Sequence, residues 1–128
     1  MKTILFPTKT HQEGLERAVE FLKTQRDVLA ISLGGSVARG QGAYDSDLDI
    51  NFYVQDWRKA DRVKKEYEKF YSRHLKPLLK RKDVGGFFDV TINDRHLNPG
   101  PQPRHWTSGP DYFEIEVGLS FAYVVLID

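Results

Sequence analysis

Gly34-Gly-Ser-Val-Ala-Arg-Gly40 and, a few residues on, Ser46-Asp-Leu-Asp-Ile-Asn-Phe-Tyr-Val54 decide how this chain of 128 residues is read. From Asp47 the sequence alternates. Asp47, Asp49, Asn51 and Tyr53 take one parity and Leu48, Ile50, Phe52 and Val54 the other, the pattern of a half-buried strand with two carboxylates on one face. Residues at i and i+2 of a strand stand roughly 6 to 7 Å apart at their Cα atoms, close enough for their carboxylates to share a cation. Hard oxygen donors favour Mg²⁺ or Mn²⁺ over zinc. Upstream, the short apolar run Val28 to Leu33 predicts a buried strand that empties into a tight turn at Gly34-Gly35. Glycines permit close approach to the backbone, Ser36 adds a hydroxyl, Val37 to Gly40 can start a helix and Arg39 can supply a countercharge, so phosphate is the natural guest. A Gly-Gly-Ser turn alone usually does no more than reverse the chain, and two strand aspartates alone are usually solvated. Together they place a phosphate cradle beside a candidate metal site.

Working outward, Thr10 and Glu13 read as a capping box, and Leu15, Ala18, Val19 and Leu22 recur at helical spacing, which predicts an amphipathic helix over 11–26. Residues 56–76 carry the longest helical pattern, with Ala60, Val63, Tyr67, Phe70 and Tyr71 inward and Trp57 in the same aromatic stripe, read as core. Pro77 is expected to bend or end it. Gly85-Gly86 opens a second alternating strand, Phe87 to Asn93, in which Phe88, Val90 and Ile92 oppose Asp89, Thr91 and Asn93. Residues 94–111 hold four of the six prolines and no periodicity, and read as a long loop. Tyr112 to Val117 alternates again, with Glu114 and Glu116 on its polar face, and the apolar tail Leu119 to Ile127 reads as a last strand, a helical turn near Ser120 being the alternative. The fold class is therefore α/β (α+β): a small mixed sheet of about four to five strands packed against helices.

At 40% hydrophobic and 29% charged, the chain suits one domain over residues 1–128 and excludes a two-domain enzyme. Its close on Val124 to Asp128, inside a strand pattern, also suits the N-terminal domain of a longer protein. The absence of cysteine removes disulfides, thiolate metal sites and cysteine nucleophiles. No apolar run is long enough to cross a bilayer and Met1 to Thr10 does not read as a secretory leader, so a cytoplasmic protein is expected. Charge is segregated: residues 1–57 carry −2, residues 58–82 carry +8 and residues 83–128 carry −5. Arg58, Lys59, Arg62, Lys64, Lys65, Lys69, Arg73, Lys76 and Lys80 to Lys82 form this basic segment, which reads first as the solvated face of a helix and second as a grip for nucleic acid or an acidic partner. His96, His105 and Trp106 fall on the proline-rich loop; none of the four histidines, His11 and His74 included, is given a role.

Gly35-Ser36, then ten residues, then Asp47-Leu-Asp49 resembles the nucleotidyltransferase superfamily that includes DNA polymerase beta and the aminoglycoside nucleotidyltransferases. The fuller strings Gly34 to Gly40 and Ser46 to Asp49 look most like the bacterial and archaeal minimal nucleotidyltransferases. The resemblance implies transfer of a nucleoside monophosphate from an NTP, ATP foremost, to an acceptor with release of pyrophosphate. It implies two Mg²⁺ ions held by Asp47, Asp49 and a third carboxylate on a later strand. Asp89 is preferred for that third place because its strand follows the long helix and its face carries Thr91 and Asn93; Glu114 and Glu116 are the alternatives. Gly34, Gly35, Ser36, Arg39 and Ser46 fall on the nucleotide-binding part of the signature. The acceptor is a small molecule, a protein hydroxyl or an RNA end, and a helical partner protein or a second copy of the chain is expected to complete its site. A nucleotide-sensing or partner-binding module without transfer is the competing reading.

Overall fold

A computed structural model of the chain describes residues 5–80 and 88–96 with their side chains, and the backbone of 123–126. The elements run α1 (Lys9–Thr24), β1 (Ala30–Gly34), α2 (Gly35–Ala38), β2 (Leu48–Val54), α3 (Trp57–Phe70), a π-helical turn (Tyr71–Leu75), α4 (Lys76–Leu79), β3 (Val90–His96) and β4 (Tyr123–Leu126). The strands form one mixed sheet in the order β3-β2-β1-β4. β1 is antiparallel to both β2 and β4, and β3 is parallel to β2. A parallel neighbour needs a long crossover, here supplied by α3 and the helical turns after it. The expected mixed sheet backed by helices is the architecture found.

One sheet face carries Ile31 and Leu33 of β1 and Leu48, Ile50, Phe52 and Val54 of β2, all fully buried beneath Leu15, Ala18, Val19 and Leu22 of α1 and Ala60, Val63 and Tyr67 of α3. Each Leu, Ile, Val or Phe side chain among these contributes about 1.5–3 kcal/mol through burial. Gly14 lets α1 settle on the sheet directly below the start of β2 and β3. A Cβ there would stand 3.4 Å from Val90 Cγ2 and 3.6 Å from Leu48 Cδ1.

Several sequence expectations change. The capping residue of α1 is Thr8, not Thr10: its hydroxyl accepts from the His11 N–H, the helix begins at Lys9, and Thr10 is buried. Glu13 pairs with Arg17 along the helix. β2 is not half-buried, because Asn51 and Tyr53 on its polar face are also enclosed and the Tyr53 hydroxyl meets that of Ser32 at 3.1 Å; among β2 residues only Asp49 keeps partial exposure. Trp57 does not join the core. It is 57% exposed and lies under the Arg58 guanidinium, whereas Tyr67 is buried and Phe70 and Tyr71 half-buried.

Pro77 does not end the helical run; it stands in the first turn of α4, directly after the π-turn. It lacks an N–H and would crowd the carbonyl four residues back, and the chain answers with a π-turn in which the Lys76 N–H reaches the Tyr71 carbonyl. Arg17 of α1 donates to the His74 carbonyl inside this turn at 2.7 Å. β3 starts and ends later than the alternation suggested, continuing through Asp94 and Arg95 to His96 where a loop was expected. The proposed strand Tyr112 to Val117, most of the proline-rich loop, Glu114, Glu116, His105 and Trp106 lie outside the described residues. The apolar tail does contain a strand, β4.

Candidate active site

The sheet register assembles the site. Gly34 at the end of β1 pairs with Asp49 on β2, and Asp49 pairs on its other side with Thr91 of β3. Gly35 follows with φ +77°, a left-handed conformation that glycine adopts without penalty, and turns the chain into α2. The Asp49 carboxylate lies over this residue so closely that a Cβ on Gly35 would stand 2.6 Å from Asp49 Oδ2. The carboxylate and the turn approach this closely only because position 35 has no side chain. Ser36 is half-buried in the first turn of α2, and Arg39 caps its end, exposed. The loop back to β2 is closed by Gln41 N–H on the Ser36 carbonyl at 2.9 Å and by Ala43 N–H on the Ser46 hydroxyl at 2.8 Å. Ser46 therefore shapes the approach to Asp47.

Asp47, Asp49 and Asp89 come to the same edge of the sheet, and each spends Oδ1 on a hydrogen bond that orients it. Asp47 Oδ1 accepts the Asp89 N–H at 2.7 Å. Asp49 Oδ1 accepts from the Thr91 hydroxyl at 3.3 Å. Asp89 Oδ1 accepts both the Tyr71 hydroxyl, at 2.5 Å, and the Val90 N–H, at 2.8 Å. Among the described residues none of the three Oδ2 atoms accepts a hydrogen bond. Asp47 and Asp89 are exposed and Asp49 is partly so, which leaves these oxygens within reach of a ligand. Among the described residues no group of three or more His, Cys, Asp or Glu is gathered closely enough to hold a metal ion. The aspartates border an open edge.

Two groups that sequence reasoning left without a role hold this edge in place. His11 is fully buried between the arms of the site. Its Nε2 meets the Ser46 carbonyl at 2.8 Å, its Nδ1 meets the Thr8 hydroxyl at 2.7 Å, and its ring stacks on Phe88 with 3.7 Å between centroids. A carbonyl only accepts, so Nε2 carries the proton. No spacing rule singles out this histidine, since its partners stand 35 and 77 positions away in the chain. Tyr71 is the other. The inward spacing of Tyr67 and Tyr71 was legible, but not that their hydroxyls both end on the start of β3: Tyr67 on the Val90 carbonyl at 2.6 Å, Tyr71 on Asp89. Partial burial, the hydrogen bond to Asp89 and the charges of Asp89 and Asp47 push the Tyr71 hydroxyl up to about 12, so it stays protonated and donates. Burial likewise raises Tyr67 far above the usual phenol range, with Asp89 adding to it. A groove of about 410 Å³ opens along the α3–β3 seam with Tyr71, Asp89 and Thr91 on its walls.

As far as it falls among the described residues, the basic segment is the outer face of α3 and the turns after it. Lys64 pairs with Asp94, Arg62 with Asp27, Lys65 with Asp61 and Lys69 with Glu66. His96 sits on β3 and binds Asp94.

Fold and site together define a mixed α/β domain whose glycine turn and aspartate strand share one edge of the sheet. Residues 15–90, more than half of the chain, match the family model described as "Nucleotidyltransferase domain", and the chain belongs to that family. The matched segment runs from α1 through Asp47 and Asp49 to the residue after Asp89. Neither the curated proteins nor the solved structures contain a match. Membership gives the general chemistry, transfer of a nucleoside monophosphate by a transferase acting on an NTP. Among the described residues no helix is long and apolar enough to cross a membrane.

Proposed function

We propose that the chain is a Mg²⁺-dependent nucleotidyltransferase that passes a nucleoside monophosphate from an NTP, ATP foremost, to an acceptor hydroxyl and releases pyrophosphate. The observation that carries this reading is the approach of Asp49 Oδ2 to Gly35, which brings a carboxylate against a turn of bare main chain. The donor set suits a hard divalent cation, since Asp47, Asp49 and Asp89 each keep one carboxylate oxygen uncommitted among the described residues. These three would hold Mg²⁺. When bound, the ion neutralises phosphate charge and makes a nearby hydroxyl more acidic.

The chain's own residues supply the rest. Main-chain N–H groups at Gly35 and Ser36, with the Ser36 hydroxyl, receive the triphosphate, and Arg39 at the end of α2 balances its charge. The acceptor oxygen forms a bond to the α-phosphorus as the bond to the leaving pyrophosphate breaks, and the hydroxyl proton passes to the Asp89 carboxylate. Such a transfer relies on placement and charge stabilisation, so a site without cysteine suffices.

The test is calorimetric titration of Mg²⁺ with ATP, GTP, CTP and UTP in turn into wild type and Asp47→Asn. Metal-dependent nucleotide binding that is lost in the variant supports the reading, and the lowest of the four dissociation constants names the preferred base. Wild type that binds none of them sinks it in favour of a domain that handles no nucleotide by itself.

A further inference from the structure

We infer that Tyr71 is a positioning residue of this site, acting through Asp89. The inference rests on the proposed role of Asp89. A carboxylate on the first turn of an exposed strand end has two freely exchanging oxygens unless something distinguishes them. Here Oδ1 is held from two directions, by the Val90 N–H of its own strand and by the Tyr71 hydroxyl from the end of α3. Only Oδ2 remains for a ligand. The main-chain bond from Asp89 N–H to Asp47 then fixes where the whole residue stands.

The helix is built to deliver this hydroxyl. Tyr67 and Tyr71 are one α-helical turn apart and so lie on one face. Tyr67 anchors that face to the Val90 carbonyl, and its ring lies 6.0 Å from that of Tyr71. The π-turn begins at Tyr71 itself and is held by Arg17 on the His74 carbonyl. Single π-turns inside helices recur at functional sites, and this one lets the helix pass Pro77 after Tyr71 has been placed. Tyr71 and Asp89 also border the same groove along the α3–β3 seam, so a ligand arriving there meets an oriented carboxylate.

A group that orients a ligand-holding carboxylate typically contributes 10- to 100-fold in metal affinity or activity. A structural tyrosine contributes to melting temperature instead. The test uses the 128-residue chain with Mn²⁺ and α,β-methylene-ATP, counting free Mn²⁺ by electron paramagnetic resonance, in wild type, Tyr71→Phe, Tyr67→Phe and Asp49→Asn. Tyr71→Phe keeps the ring and loses only the hydroxyl. The expected result is a Mn²⁺ dissociation constant about tenfold weaker in Tyr71→Phe, with a melting temperature within about 2 °C of wild type. Tyr67→Phe should do the opposite, melting earlier with wild-type Mn²⁺ affinity. Wild-type affinity in Tyr71→Phe overturns the inference while leaving the proposed function standing. Parallel losses of affinity and melting temperature in both tyrosine variants overturn it too, since that is the behaviour of a packing residue. If wild type takes up no Mn²⁺ with the nucleotide, or Asp49→Asn binds as wild type does, the proposed function falls and this inference with it.

Discussion

The Asp89 N–H donates to Asp47 Oδ1 across 2.7 Å, and one residue further on the Leu48 N–H donates to the Asp89 carbonyl across 2.8 Å. Asp89, which leads into β3, is therefore tied to the start of β2 twice, donating to Asp47 and accepting from Leu48. Each bond uses main chain on at least one side, so the spacing of the two aspartates is set by the sheet. A cation arriving at this edge meets acidic groups whose relative placement has already been paid for by folding.

Asp47 has two separable duties, charge and scaffold, and two substitutions part them. Asp47→Asn keeps an oxygen for the Asp89 N–H and should melt like wild type, yet lose metal-dependent nucleotide binding in calorimetry. Asp47→Ala loses the acceptor as well and should be less stable than Asp47→Asn by about 0.5–1.5 kcal/mol in urea denaturation. Equal stability of the two variants would mean that the bond to Asp89 contributes nothing.

The two glycines with positive φ make a matched pair. Gly35 (φ +77°) and Gly40 (φ +73°) pay the same left-handed penalty when given a side chain, about 1–2 kcal/mol. A Cβ at Gly40 meets nothing within 4 Å, whereas one at Gly35 meets Asp49 Oδ2 at 2.6 Å. Gly40→Ala should therefore lower stability and leave nucleotide binding intact, while Gly35→Ala displaces Asp49 and abolishes it. Thermal melts and nucleotide titrations on both variants check the contrast.

Acid stability should report on Asp94. Burial of this carboxyl works to raise its pKa, but hydrogen bonds from Lys64 and His96 and the Lys64 charge outweigh that and hold it below the usual value of 3.8. A lowered carboxylate pKa stabilises the fold fully above the unfolded value, and that stability is lost as pH falls through the lower folded value. Asp94→Asn should accordingly be less stable than wild type near pH 7. The gap should close on acidification below about 3.8, a trend that urea midpoints measured from pH 7 to pH 2 would reveal. A gap that stays constant across that range contradicts the assignment.

The parts of the architecture that depend on short-range pattern were legible in the sequence. Leu48, Ile50, Phe52 and Val54 alternate because one sheet face is covered by helices, and Leu15, Ala18, Val19 and Leu22 recur because α1 covers it. Asp47 and Asp49 followed from that alternation, and Asp89 from the strand after the long helix. What stayed hidden depends on contacts between distant segments. Thr8, not Thr10, caps α1, and the same hydroxyl binds the His11 ring, which bridges to Ser46 and Phe88. Asn51 and Tyr53 look solvent-facing by parity, yet they are buried because both faces of β2 are covered beyond Asp49. The extension of β3 to His96 escaped notice because Asp94 and Arg95 are poor strand formers in isolation, and Asp94 is held there by Lys64 and His96.

His11 offers the sharpest test of how the two arms are held together. Its imidazole donates from Nε2 to the carbonyl of the residue before Asp47 and stacks on the residue before Asp89, at full burial. His11→Leu leaves the Ser46 carbonyl without this donor, at a cost of about 1–3 kcal/mol, and replaces an aromatic stack by a flexible aliphatic contact. His11→Gln carries an amide N–H at nearly the reach of Nε2 and can restore the bond to Ser46 while still losing the stack. Melting temperature should therefore fall most in His11→Leu and less in His11→Gln. Metal-dependent nucleotide affinity should follow the same order, because the Ser46 bond fixes the approach to Asp47 in one variant and not in the other. Should His11→Gln and His11→Leu prove equally weak, the stack on Phe88 carries the effect, and His11 serves the Asp89 arm alone.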